Sequence, residues 1–328
     1  MFERSTESRA KLAGNSANAE LPAFCYIERT MRPKADLSKH LSKPGESISF
    51  KGDRVIKYFA DEKIVKDRVE RAKILGDLVP KIIETTSTTY AYKFVEGELL
   101  SKITDTQKFK DFLEFCEKKL WKKKKLTPKE KKEFREKTRR FYFDKTMKRL
   151  EKFYKDTGIK DRPGLINGER RPTLKSLLKK VDWEELSRGE STLFHGDLQP
   201  ENILVTKKGF KLIDWRHDFE GLKEYGDAYY DFAKLYHALI ITHQVIRDKQ
   251  YAVKRDGADA EFHFLIKSNL AAFKDIFDKF LIKKGYDLGK VQTLTALIYL
   301  NIAPLHHSPY NELLYYLGKD MLYKRLNS

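Results

Sequence analysis

Two carboxylates and one carboxamide lie close together in the chain, in the order Asp197, Asn202 and Asp214. Asp197 follows His195-Gly196, and Asp214 stands at the end of the second apolar run after it. Magnesium prefers hard oxygen ligands of this kind. Phosphoryl transfer needs an acceptor for the proton of the attacking hydroxyl and neutralisation of phosphate charge. The three side chains therefore form the set that phosphoryl transfer from a metal-bound nucleotide requires.

A β-hairpin is predicted to bring these residues together. The apolar runs Ile203–Val205 and Phe210–Ile213 flank a short turn that ends in glycine, which is typical of a hairpin. Because a hairpin returns the chain on itself, we expect Asp214 close to Asn202, with Asp197 a loop away. Each Asp alone could equally be a helix cap or a residue of a solvated loop. The catalytic interpretation therefore rests on the order and spacing of all three residues.

The stretch HGDLQPENILVTKKGFKLIDW resembles the catalytic loop and metal-binding segment of the aminoglycoside phosphotransferase and choline kinase superfamily, the small-molecule relatives of protein kinases. Protein kinases have Arg where this chain has Gly196 and Phe where it has Trp215. Arg216 replaces the Gly of the D-F-G motif, which argues against the activation-loop switch of protein kinases.

The resemblance implies a role for each of these residues. Asp197 would be the catalytic base, and Asn202 and Asp214 would hold Mg²⁺. His195 would fix the loop without exchanging protons. Downstream, Asp227 and Asp231 match a G-D-x-x-x-D-x-A segment of the same superfamily, and we expect them to be structural supports.

A lysine in a predicted strand is the first candidate for nucleotide binding. Lys57 lies in the strand 54–59, on the same face as Val55 and Phe59, and a cation between apolar neighbours needs an anionic partner. By resemblance, Lys57 holds the nucleotide phosphates and Val55 contacts the base. The alternative is an edge-strand lysine whose ammonium group reaches solvent.

The helix predicted over 61–78 has an acidic candidate partner for that lysine. Kinases place a glutamate on this helix to pair with the strand lysine. Glu70 has a suitable position, and Asp67 competes with it one turn earlier. Charged residues on a helix also commonly face water, so this prediction rests on the resemblance.

Two further segments are nucleotide-site candidates by position. In the superfamily, the backbone between the lobes pairs with adenine, and here Lys93, Phe94, Val95 and Glu96 occupy that place. The loop that covers the phosphates corresponds to residues 40–47, where Gly45 and Ser47 are the candidate contacts. A G-x-G-x-x-G pattern is absent from this loop.

The bulk properties bound the class of protein. A chain of 328 residues suits two lobes. Its net charge of +18 attracts polyanions, anionic membranes or phosphorylated substrates, or it reflects solubility alone. Cys25 and Cys116 suggest reduced thiols in a cytoplasmic protein. We recognise no signal peptide and no apolar run of about 18 residues that would span a membrane.

A basic helical insert is predicted over about 109–154, with a lysine cluster at 118–125. This cluster is either a solvated helix face or a surface for an anionic acceptor or membrane, and no specific nucleic-acid binding is expected. Further helices are predicted over 231–245, 261–284, 288–300 and 311–326.

We therefore predict an α+β, protein-kinase-like fold of two lobes. A flexible tail (1–33) precedes an antiparallel-sheet N-lobe (34–96) and a helical C-lobe (97–328). The predicted activity is ATP- and Mg²⁺-dependent phosphoryl transfer to a hydroxyl of a small molecule. The candidate acceptors are a sugar, an amino alcohol or an aminoglycoside-like compound. Surface-polysaccharide assembly is the candidate process. Acidic and aromatic residues after Asp214 favour a cationic acceptor, whereas the net charge favours an anionic one; those residues are Asp218, Glu220, Glu224 and Tyr225. The alternatives are a protein kinase, a catalytically silent nucleotide-binding module, or a basic protein that binds nucleic acid or membrane.

Overall fold

The computed structural model describes residues 41–43 and 45–328. The predicted tail (1–33), the beginning of the predicted N-lobe and Cys25 lie outside the described residues. In the described part of the chain, no helix combines the length and the apolar composition needed to span a membrane.

A five-stranded antiparallel sheet forms the N-terminal part of the described chain, in the order β1-β2-β3-β5-β4. Its strands are β1 (Leu41–Lys43), β2 (Glu46–Lys51), β3 (Arg54–Phe59), β4 (Ile82–Thr85) and β5 (Thr89–Lys93). Alternate residues of β3 point inward, so Val55, Lys57 and Phe59 are buried on one face as predicted. The strand β3 is central in the sheet, and the interpretation of Lys57 as an edge-strand residue is therefore wrong.

One helix, α1 (Glu62–Leu75), packs against this sheet. The side chain of Asp61 caps it by accepting a hydrogen bond from the amide of Lys63 at 2.9 Å. Apolar residues such as Val65 and Leu75 face the sheet. The predicted N-lobe, a small antiparallel sheet with one helix, is confirmed.

The remainder of the described chain is mainly helical, also as predicted. Its helices are α2 (Thr106–Phe115), α3 (Pro128–Arg139), α4 (Lys145–Thr157), α5 (Leu174–Lys180), α6 (Trp183–Leu186), α7 (Ala228–Ile240), α8 (His243–Arg247), α9 (Ser268–Lys283), α10 (Leu288–Ile302) and α11 (Tyr310–Leu326). A π-helical turn, Arg140–Asp144, joins α3 to α4 without a break. The apolar helix α10 packs against α4, α7 and α11 and forms the centre of this lobe.

Short strands in the helical lobe carry the predicted catalytic segment. They are β6 (Glu98–Leu99), β7 (Gly164–Ile166), β8 (Glu169–Arg171), β9 (Ser191–Thr192), β10 (Ile203–Thr206), β11 (Gly209–Leu212) and β12 (Gly226–Asp227). The hairpin β10–β11 is confirmed, and β6 pairs with its outer edge. The amide of Ile213 donates to the carbonyl of Asn202 at 2.9 Å, so the strand ends lie side by side.

One predicted helix begins in the wrong place. Residues 261–264, assigned to a helix from the sequence, belong to β14 (Asp259–Phe264), which forms a hairpin with β13 (Tyr251–Asp256). Gly257 adopts φ +56 in the turn between the two strands, a conformation that glycine adopts without strain. With β7 and β8, this hairpin forms a sheet in the order β13-β14-β7-β8.

Candidate active site

The catalytic loop is built around a buried histidine. The Nε2 of His195 lies 2.9 Å from the carbonyl oxygen of Ile213, and its Nδ1 accepts a hydrogen bond from the amide of Asp197 at 3.2 Å. Burial lowers the pKa of His195 to about 3, because the charged imidazolium would lose its hydration. A neutral imidazole that joins the loop to the end of β11 suits the predicted scaffold role.

A carboxylate on α7 holds the same loop from the other side. The two oxygens of Asp231 accept hydrogen bonds from the amides of His195 and Gly196, at 2.7 Å and 2.6 Å. One turn earlier, Asp227 caps α7 and accepts a hydrogen bond from the hydroxyl of Tyr142 at 2.6 Å. Both aspartates are fully buried, and their contacts are those of the structural supports expected from the sequence.

An arginine from α1 supports the loop through its carbonyl groups. The guanidinium of Arg71, which is fully buried, donates to the carbonyls of Phe194, His195, Arg216 and Lys223. It also lies 3.8 Å from the centroid of the Phe194 ring. Arg71 thus joins α1 to the catalytic loop and to the segment after Asp214.

Asp197 lies in a strongly polar environment. Its Oδ1 is 2.7 Å from the Nζ of Lys234, and its Oδ2 accepts from Gln199 at 3.3 Å and from Asn202 at 3.2 Å. Burial opposes ionisation, but the adjacent ammonium of Lys234 outweighs it and lowers the pKa of Asp197 below its ordinary value. The carboxylate is therefore ionised at neutral pH and free to accept a further hydrogen bond.

Asn202 and Asp214 present oxygens that fit a magnesium ion. The Nδ2 of Asn202 donates to the backbone carbonyl of Asp197 at 2.9 Å, which fixes the amide and leaves its Oδ1 available. Asp214 is a buried carboxylate with φ +60, a backbone conformation that is enriched at functional sites. The described residues contain no cluster of three or more His, Cys, Asp or Glu side chains suited to a metal. An ion here would therefore need nucleotide phosphates and water as its other ligands.

Lys57 reaches this site from the opposite lobe, and Glu70 does not accompany it. The ammonium of Lys57 forms an ion pair with Asp214, and both side chains are buried. Glu70 instead pairs with Lys223, as does Asp67 at 3.4 Å. The prediction that Glu70 pairs with Lys57 is thus not met by the structure, because α1 turns both acidic residues towards the segment after Asp214.

The other predicted nucleotide contacts occupy distinct places. Val55 is buried in β3. Gly45 lies in the turn between β1 and β2 with φ +80, and Ser47 follows it in β2. Lys93 is exposed at the end of β5, and Val95 is half-buried in the connection that leads into the helical lobe. The structure places these five residues without assigning their roles.

A cavity of about 400 Å³ opens beside Asp197 and Asp214. One wall is apolar and belongs to α10, including Leu297 and Ile298. Charged side chains from α4 and from the segment after Asp214 also line the cavity. The four nucleotide-site candidates at positions 45, 47, 93 and 95 do not line it.

Sequence reasoning missed two residues that support the catalytic loop. Lys234 lies three residues after Asp231 on α7, and this spacing places both on one helix face, so the pattern contained a usable signal. Arg71 has no such signal, because its neighbours on α1 include other charged residues that face water. Its role becomes visible only from its burial against the other lobe.

Comparison with known proteins finds a family match over the candidate catalytic segment. Residues 121–262 match the phosphotransferase enzyme family, APH. This stretch is less than half of the chain, but it contains Asp197, Asn202 and Asp214. The predicted resemblance is confirmed, and a phosphotransferase is supported. No curated protein is similar enough in sequence to count as a match.

Several solved structures are similar to this chain. A Plasmodium vivax ethanolamine kinase is 15% identical, with a TM-score of 0.46, over 88% of this chain and 81% of that chain. A choline/ethanolamine kinase family protein from Mesorhizobium loti is 13% identical, with a TM-score of 0.48, over 88% and 90%. A ternary complex of streptomycin, ATP and APH(2″)-IIa is 12% identical, with a TM-score of 0.46, over 90% and 93%.

Proposed function

We propose that this protein transfers the γ-phosphoryl group of ATP to a hydroxyl of a small molecule, such as a sugar or an amino alcohol. The observation that carries the proposal is that Asp197 and Asp214 line one cavity, while Asn202 donates to Asp197 and Lys57 pairs with Asp214 from the other lobe. These four side chains supply one proton acceptor, two metal ligands and one cation for phosphate.

The donor nucleotide would lie between the lobes, with its phosphates near Lys57. We assign Asn202 and Asp214 to Mg²⁺, whose charge would neutralise the phosphate oxygens. Lys57 pairs with Asp214 in the structure, and it would exchange this partner for phosphate when nucleotide binds. Adenine would pair with the backbone at Val95, for which the described residues show no competing hydrogen bond.

Asp197 would act on the acceptor. Its ionised carboxylate accepts a hydrogen bond from the attacking hydroxyl, and it takes the proton as the oxygen–phosphorus bond forms and the bond to ADP breaks. Phosphoryl transfer proceeds through a loose transition state, so orientation matters more than strong basicity. The hydrogen bonds from Gln199 and Asn202 supply that orientation.

The segment after Asp214 supports a small-molecule acceptor over a protein substrate. Only residues 215–227 separate Asp214 from α7, and Arg71 binds this segment at the carbonyls of Arg216 and Lys223. A short, anchored segment does not provide the mobile activation loop that organises a protein kinase.

The test is Mg²⁺-dependent release of ADP with a panel of sugars, amino alcohols and aminoglycosides. Asp197→Asn should lower acceptor-dependent turnover by about 10²- to 10⁴-fold, the usual contribution of a general base, and it should leave ATP binding intact. Asp256→Asn, an exposed change in the turn region of the β13–β14 hairpin, is the control and should behave as wild type. Undiminished turnover in Asp197→Asn would rule out this mechanism.

A further inference from the structure

The cavity beside Asp197 has an excess of cationic side chains. Lys145 and Arg149 of α4 line it together with Arg216, and all three are half-buried. We propose that the acceptor carries an anionic group, a carboxylate or a phosphate, which these three residues bind while its hydroxyl lies at Asp197. This inference rests on the proposed phosphotransfer and narrows its substrate class.

The three cations lie close to one another. The Nζ of Lys145 is 4.1 Å from the centroid of the Phe141 ring, and the guanidinium carbon of Arg216 is 5.1 Å from the same centroid. Arg149 follows Lys145 by one helical turn on α4. Like charges at this spacing repel each other. An anion bound between them would offset that repulsion.

No acidic side chain of the described residues forms an ion pair with these cationic side chains. Among the residues that the structure describes, no ion pair or hydrogen bond involves the side chains of Lys145 and Arg149. Burial, with Arg216 and Arg149 nearby, holds the pKa of Lys145 well below its ordinary value, and exposed Glu220 opposes this shift. Half-buried charges without an anionic partner are costly, and such a local conflict is expected where a ligand supplies the missing negative charge.

The acidic residues of the cavity are already engaged. Asp197 pairs with Lys234, and Asp214 pairs with Lys57. The side chain of Glu46 also lines the cavity, but it comes from the sheet of the opposite lobe. Neither of these aspartates forms an ion pair with Lys145 or Arg149 of α4, because Lys234 and Lys57 already occupy them.

The acidic residues predicted to surround a cationic acceptor lie elsewhere. Asp218, Glu220 and Glu224 do not line the cavity. Glu224 forms an ion pair with Lys124, and Glu220 lies 4.0 Å from Arg140. The sequence-based argument for a cationic acceptor is thus not supported, and the charge of the cavity favours an anionic one.

The first arm of the test compares acceptors that share a carbon skeleton and differ in charge. These are glycerol, glycerate and glycerol 3-phosphate, and glucose, glucuronate and glucose 6-phosphate, with choline and ethanolamine as cationic members. We expect kcat/KM for at least one anionic member to exceed its neutral partner by about tenfold or more, as the loss of a charged hydrogen bond implies. Carboxylate and phosphate members distinguish the two kinds of anion. Equal or better turnover of neutral or cationic compounds would overturn the proposal.

The second arm of the test removes the charge of one of the three cationic residues, Lys145. Lys145→Met should raise KM for the anionic acceptor about tenfold and leave KM for ATP unchanged. Its unfolding temperature should stay close to that of wild type, because it loses ring contacts but no ion pair. The loss of a lysine with a structural role would lower that temperature. Lys148→Met, on the exposed face of the same helix, is the matched control. A raised KM for ATP alone would assign the cations to the donor phosphates and overturn the proposal.

Binding measurements decide the matter if no compound is phosphorylated. Titration calorimetry with the same compounds should show binding of anionic members only, weakened in Lys145→Met, and Arg149→Met gives a second, independent variant. The proposal would be overturned if none of the compounds bound, or if neutral, cationic and anionic compounds bound equally well. Failure of the phosphotransfer itself would appear differently, as anionic compounds that bind without any acceptor-dependent release of ADP.

Discussion

Lys234 of α7 places its ammonium nitrogen 2.7 Å from the Oδ1 of Asp197. Burial alone would raise the pKa of this carboxyl, and the attraction of Lys234 lowers it below the ordinary value of 3.8. Asp197 also raises the pKa of Lys234, although burial works in the other direction. The two groups therefore keep each other ionised, and the candidate base depends on a residue from a different element.

Removal of Lys234 should make turnover sensitive to acid. In Lys234→Met, burial acts on Asp197 without its main opponent, so the pKa of the carboxyl rises and the base becomes protonated at higher pH. We expect turnover to fall further at pH 5.5 than at pH 8, relative to wild type. The check is kcat measured from pH 5 to 9. Lys274→Met, which removes a lysine paired with Asp278 on α9, serves as the control. Parallel profiles of kcat against pH for Lys234→Met and wild type would contradict the expectation.

His195 should contribute to the loss of stability in acid. Its pKa is about 3 in the folded protein, against 6.5 ordinarily, so the unfolded chain binds more protons between these values. His195 therefore does not reduce the free energy of unfolding above about pH 6.5, and it reduces that free energy progressively as the pH falls towards 3. Between pH 7 and pH 5 this one group should cost about 2 kcal/mol.

The measurement is urea unfolding of His195→Gln and wild type at both pH values. We expect the decrease in the free energy of unfolding to be smaller in His195→Gln by about 2 kcal/mol. Other buried histidines contribute equally to both proteins and cancel. The exposed His263→Gln should keep the wild-type decrease, and an identical decrease in all three proteins would refute the prediction.

Gly196 should not tolerate a side chain. It adopts φ +85, and a Cβ built on it would lie 2.6 Å from the Cβ of Arg216. We expect Gly196→Ala to lose turnover as well as stability, because the loop that carries Asp197 must move. Gly209→Ala is the matched control, since Gly209 also has a positive φ, +111, with nothing within 4 Å of its Cβ position.

Both variants bear the backbone cost of about 1–2 kcal/mol for a side chain in this conformation. Only Gly196→Ala adds the steric clash, so thermal unfolding and turnover measured together separate the two effects. Equal losses in the two variants would show that the approach of Arg216 has no consequence.

Local relationships in the active site were predictable from the sequence. Asn202 and Asp214 are joined by a hairpin, so their proximity followed from two apolar runs and one turn. The pairing of Glu70 was not predictable in this way, because it depends on how α1 is rotated against residues more than 150 positions away. Lys145 and Arg149 resemble the other basic residues of a lysine-rich helix, and only the packing of α4 beside α10 distinguishes them.

The basic cluster at 118–125 shows the same limit. The sequence left open whether it is a solvated face or a surface for anions. In the structure, Lys118 pairs with Glu114 at 3.2 Å and Lys123 with Glu190 at 3.0 Å. Part of its charge is thus compensated by nearby acidic residues, which supports the solvated face. The prediction of a membrane-binding surface gains no support from these contacts.

The contacts of Arg71 restrict how α1 can move relative to the loop that carries Asp197. Protein kinases are controlled in part by the position of the helix that follows the strand lysine. Here that helix, α1, is joined through the guanidinium of Arg71 to the carbonyls of His195 and Arg216, one before and one after the candidate metal ligands in the chain. An outward swing of α1 would withdraw the donor of several buried hydrogen bonds at once and dismantle the catalytic loop. The position of α1 is therefore coupled to the conformation of the loop that carries Asp197.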